Sequence, residues 1–120
     1  MQVSIAAYIN DGALSKAAYE SRLDGANKAE VVRFSLLRLL MPASDARAVV
    51  FANSTSLAER GGRVDADIPV EELEKVRRMY PNSSVSELVR FALDVAGGVP
   101  EEQARKVARI KPSRRPKNAA

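Results

Sequence analysis

The sequence predicts a mainly helical fold with short β-ribbons, made of two strand–helix–helix units in tandem with accessory helices and a basic tail. Two observations carry this expectation. The segment Ala29-Glu30-Val31-Val32-Arg33-Phe34-Ser35-Leu36 returns as Ser86-Glu87-Leu88-Val89-Arg90-Phe91-Ala92-Leu93, with five identical positions. A short run of alternating apolar and polar residues precedes a helix pair in both halves, and alternation of period two marks a half-buried strand.

The second half is the clearer. In Arg63-Val64-Asp65-Ala66-Asp67-Ile68, Val64, Ala66 and Ile68 face one way and the charged residues the other. Pro69 ends the strand and suits a first helical turn. A helix follows from Val70 to Tyr80, with Leu73, Val76 and Tyr80 on one face, acids early and bases late, as the helix dipole favours. Pro81-Asn82 closes it. Ser83 or Ser84 then offers an N-cap, and Glu87 completes a capping box from Ser84. The next helix reaches Ala96, where Gly97-Gly98 stops it. Its apolar residues exceed one stripe, so it belongs at the centre of the assembly.

The first half repeats the plan. Val3, Ile5, Ala7 and Ile9 alternate with Gln2, Ser4, Ala6 and Tyr8 as a strand, and Asn10-Asp11-Gly12 is expected to turn the chain. A helix is predicted from Ala13 to Leu23. After a turn, Asn27 caps the repeated helix with Glu30 three residues on, and that helix runs to Met41. Aligned on the strands and then on the helices, this half carries two extra residues, expected in its inter-helix turn. Residues 43–62 are expected to form a helical linker, capped by Ser44 and ended by Gly61-Gly62. A short helix is expected from Pro100 to Ile110, followed by a tail too polar to pack. The domain reading is thus 1–42, 43–62, 63–98 and 99–120.

Composition narrows function. The chain has no histidine and no cysteine, which excludes a Ser-His-Asp triad, thiolate metal sites and disulfides. No enzyme and no cofactor is expected. The N-terminus lacks the marks of a signal peptide, and the longest apolar run is too short to span a bilayer, so a cytoplasmic protein without membrane contact is expected. From Val99 onward, Arg105, Lys106, Arg109, Lys111, Arg114, Arg115 and Lys117 stand against two glutamates. That surplus of five, in a chain of net charge +4, leaves the rest near neutral. A basic arm on a neutral body is a pattern of polyanion binding and equally of a solvated, solubilising tail.

Strand, proline, helix, short turn and capped helix, best seen from Arg63 to Gly97, resembles the ribbon–helix–helix family of DNA-binding proteins (Arc- and MetJ-like repressors). The resemblance rests on the Ile68-Pro69 strand exit, the Glu71-Glu72-Leu73 helix start and the Ser83-Ser84-Val85-Ser86-Glu87-Leu88 start of the second helix. The first half, Gln2 to Met41, matches in layout and in its second helix. Together they cover about two-thirds of the chain. The resemblance implies a tandem single-chain form binding duplex DNA, with the ribbon in the major groove and helix N-termini on phosphates. It implies a transcriptional regulator or repressor, or a plasmid or conjugation accessory factor, with homodimers or higher assemblies on DNA as further partners.

Carried over by position, the base-reading residues implied are Arg63, Asp65 and Asp67, with Ser4, Ala6 and Tyr8 in the first half. The phosphate contacts implied are Ser83, Ser84 and Val85, with Asn27 and Lys28. If the domain binds DNA, the basic tail residues Arg109, Lys111, Arg114, Arg115 and Lys117 are expected to contact phosphates non-specifically. Readers in this family are usually basic or amide residues, and Asp65 and Asp67 depart from that. They can accept from cytosine or serve as solvated edge residues beside Arg63. Lys28 opposes the helix dipole, so a phosphate partner is expected there. Arg33 and Arg90 are expected to pair with Glu30 and Glu87 one turn earlier. Phe34 and Phe91 are expected to pack, at the seam or against the extra helices. The alternative function is an antitoxin-like or other protein-interaction module, with 43–62 or 100–110 wrapping the partner.

Overall fold

Val64, Ala66 and Ile68 lie in the core and Arg63, Asp65 and Asp67 on the opposite face of a strand, as the alternation requires. The computed structural model describes residues 2–53, 55, 57–60 and 63–110, and of Tyr8, Leu57, Glu59 and Arg60 the backbone alone. The elements in order are β1 (Gln2–Tyr8), α1 (Asp11–Glu20), α2 (Lys28–Arg38), α3 (Ala43–Ala52), β2 (Leu57–Arg60), β3 (Arg63–Pro69), α4 (Val70–Met79), α5 (Val85–Ala96) and α6 (Glu101–Ala108).

β1 pairs antiparallel with β3 of the same chain, with Val3 opposite Ile68, Ile5 opposite Ala66 and Ala7 opposite Val64. Paired residues share a face, so each apolar stripe meets the other and both point inward. The helices match the strands. α1 and α4 have ten residues each, and each begins two or three residues beyond its strand or directly on it. The α1–α2 connection, 21–27, is two residues longer than the α4–α5 connection, 80–84, where the sequence places the difference.

α2 and α5 pack against each other beneath the ribbon and form the centre of the core. Both begin with full capping boxes. Asn27 accepts from the Glu30 amide at 2.7 Å while Glu30 accepts from the Asn27 amide at 2.8 Å. Ser84 and Glu87 do the same at 3.2 and 2.9 Å. Each box satisfies two amides that helix geometry would orphan. The two phenylalanines of the repeat are both fully buried but meet different neighbours. Phe34 belongs to the main core, whereas Phe91 packs with Ala104 and Ala108 of α6 and meets the Tyr80 ring edge-on at 5.4 Å.

Three helices end alike. After α5, Val99 donates to the Asp94 carbonyl and Gly98 to that of Val95, with Gly98 at φ +93°. This pair of hydrogen bonds closes a helix through one left-handed residue. Arg22 after α1 and Arg109 after α6 take the same role at φ 55° and 60°.

Three expectations are corrected. α1 starts at Asp11 rather than Ala13, because the Asn10 side chain caps it, accepting from the Gly12 and Ala13 amides. α2 ends at Arg38 rather than Met41, with a tighter turn through Met41. The 43–62 linker is not one helix. α3 stops at Ala52, where Asn53 turns extended, and its N-cap is Pro42, not Ser44. β2 then pairs with β3, giving a three-stranded sheet in the order β1-β3-β2. β2 and β3 flank Gly61-Gly62, a dipeptide that favours a tight hairpin and that also reads as a helix stop.

Candidate nucleic-acid interface

The β1–β3 register sets Ser4 opposite Asp67, Ala6 opposite Asp65 and Tyr8 opposite Arg63. Of the six positions expected to read bases, Ser4, Ala6, Arg63, Asp65 and Asp67 thus occupy one face of the ribbon, turned away from the core. Ser4 and Arg63 are exposed, and Ala6, Asp65 and Asp67 are half-buried. The Tyr8 side chain lies outside the described structure. Ala58 of β2 pairs with Asp65 and joins the same face, a position that the linker reading missed.

The charge on this face is acidic by one among the described strand side chains named here. Arg63 Nε donates to Asp65 Oδ1 at 2.8 Å, so the guanidinium leans along its own strand. Such an exposed pair contributes little to stability. It does set the guanidinium beside a carboxylate rather than leaving it aimed outward.

The two helix starts differ. At α5, Ser84 is exposed, Val85 is half-buried, and Ser83 is buried with its hydroxyl lacking a hydrogen-bond partner among the described residues. At α2, Asn27 Nδ2 donates to the Thr55 carbonyl at 3.2 Å, which ties the α3–β2 connection across the helix start. Lys28 Nζ lies 3.3 Å from Asp11 Oδ1. Asp11, in the first turn of α1, therefore answers the lysine that local dipole reasoning left to a phosphate. The sequence separation of 17 residues hid that pair.

Arg33 departs from the expected one-turn pair. The Glu30 and Glu87 carboxylates serve their capping boxes. Arg33, 4% exposed, instead donates to both Glu72 oxygens, at 3.0 and 2.7 Å, and to the Asn53 carbonyl at 3.3 Å. It locks α2 of one half to α4 of the other. The residue that stands to α1 as Glu72 stands to α4 is Ala13, and Arg90 is exposed. Asp94, half-buried near the α5 C-terminus, has its pKa raised by burial, against the opposing pull of Lys16 and Arg90.

Arg109 is exposed, and Lys111, Arg114, Arg115 and Lys117 lie outside the described residues. Lys75, Arg77 and Arg78 add an exposed basic run on α4. Among the described residues no cluster of three or more metal-ligating side chains occurs, and no helix is long and apolar enough to cross a membrane. Comparison of the chain with protein-family models, with curated proteins and with solved structures gives no match.

Proposed function

We propose that this chain binds duplex DNA as a single-chain tandem of two ribbon–helix–helix units, acting in the cytoplasm as a transcriptional regulator or a plasmid or conjugation accessory factor. The observation that supports it is the antiparallel pairing of β1 with β3 over two capped helices in one chain. That arrangement offers a ribbon to the major groove without a second subunit.

Recognition on this reading is lopsided. β2 covers one side of β3, so β1 is the open edge of the ribbon. Three strands span roughly 10 Å of backbone before side chains are counted, close to the groove's width of about 12 Å. Insertion is therefore led by β1, whose exposed Gln2 and Ser4 carry amide and hydroxyl groups suited to base edges. Phosphate contact falls to the exposed α5 start at Ser84, because the Thr55 tie crosses the α2 start. Asp65 and Asp67 tune specificity against the wrong site rather than adding affinity. The basic tail adds a salt-sensitive, sequence-independent term.

Fluorescence anisotropy with duplexes from the flanks of the chain's own gene tests this. Binding of one duplex at least 10³-fold tighter than a random duplex is expected at moderate salt. Equal affinity for all duplexes would sink the sequence-specific claim. A second reading, an antitoxin-like or other protein-interaction module, draws on the acidic ribbon face and the added strand. Its mark is a partner that co-purifies and survives nuclease digestion.

A further inference from the structure

At the end of the molecule away from the α2 and α5 starts, three arginines from three separate segments line one cavity of about 310 Å³. Arg22 comes from the turn after α1, Arg38 from the last turn of α2, and Arg47 from α3. Glu20 is the acidic residue of the lining. Among the described residues none of these three guanidinium groups makes an ion pair or hydrogen bond, and Arg47 Nε is buried without a partner.

The walls are firmly set. Ser21 Oγ donates to the Ala96 carbonyl at 3.1 Å, joining the ends of α1 and α5. Gly97 lets those ends approach, since a Cβ there would sit 3.3 Å from both the Lys16 side chain and the Leu93 carbonyl. Arg22 is held at φ 55° by the α1 closing motif, which fixes the direction its side chain leaves the turn. Ala43, the first residue of α3, also lines the cavity, and that ten-residue helix has no side-chain N-cap. The dipole of α2 accounts for Arg38 alone. The dipole of α1 likewise accounts for Arg22, at its C-terminal end, but neither accounts for Arg47, in the body of α3.

We propose that this cavity binds a small phosphate monoester. Three forked guanidiniums match three terminal phosphate oxygens, whereas a carboxylate offers two. The volume also admits a compact organic group, and Glu20 can accept from a hydroxyl on it. The site is separate from the proposed DNA face. α2 is 11 residues long, so its C-terminal Arg38 lies roughly 16 Å from its start.

Inorganic phosphate titrated into the full-length protein, at constant ionic strength and with chloride and succinate as controls, tests the proposal by thermal unfolding. A saturable rise in Tm of about 5 °C at ten times the Kd is expected with phosphate. The rise should vanish in Arg38→Gln/Arg47→Gln and persist in part in Arg47→Lys. Amide NMR shifts on phosphate addition should centre on 21–22, 43–47 and 96–98 rather than on 84–87. An equal rise in the double variant, an equal rise with succinate, or shifts confined to 84–87 would each overturn the proposal. DNA affinity of the double variant should be unchanged, so this test and that of DNA binding fail independently.

Discussion

Arg33 shows how much one buried charge can decide. Its guanidinium is nearly excluded from solvent and both of its strong bonds go to Glu72. Removing one partner of such a pair leaves a charge without compensation. Glu72→Ala should therefore lower stability by about 3 kcal/mol in urea unfolding, whereas an exposed glutamate such as Glu74 should change it by less than about 0.5 kcal/mol. Asp94 offers a test with the opposite sign. Burial raises its pKa in the folded state, so the folded chain holds this proton more tightly than the unfolded chain does. The associated stability is complete below the ordinary aspartate range and is lost as pH rises through the folded pKa. Asp94→Asn should raise Tm at pH 7 and leave it unchanged near pH 3, as calorimetry at the two pH values would show. Neither residue betrays its setting in the sequence. Arg33 has a nearer acid in Glu30, but its guanidinium goes to Glu72 while Glu30 serves the capping box.

At the scale of elements, the capped second helices and the two long strands were legible because their causes are local. Ser84 with Glu87, Asn27 with Glu30, and the alternation in 63–68 are all set within a few residues. β2 was not legible. Four residues of strand gain their identity from β3 alongside, and Gly61-Gly62 carries two meanings that only pairing resolves. The helix ends hold a further test. Arg109 occupies the left-handed position that glycine fills after α5. Arg109→Gly should stabilise the chain by up to about 1 kcal/mol by relieving the Cβ conflict, measured as a higher urea midpoint with unchanged slope.

At the scale of the molecule, the two halves complete each other. β1 and β3 pair within one chain and α2 packs on α5, so a monomer is expected in light scattering. Deleting Met1–Met41 would uncover the inner stripe of Val64, Ala66 and Ile68 and strip α5 of its main neighbour. The truncated chain should either associate, seen as a mass above that of one chain, or lose its cooperative unfolding. A folded monomer would show that the second half needs no partner. The alternation in the sequence puts Ser4, Ala6, Arg63, Asp65 and Asp67 on one ribbon face, as the register does, but their charge balance and the Thr55 tie over α2 emerged from the fold.

The sequence by itself determined the strands that alternate, the helices that are capped, the doubled plan and the basic tail, because each depends on neighbours within one or two turns. Tertiary structure alone decided the third strand, the partner of Arg33, the inequality of the two helix starts and the meeting of Arg22, Arg38 and Arg47. Those features join residues far apart in the chain. Their energies come from desolvation and ion pairing in a packed interior, which no local pattern records.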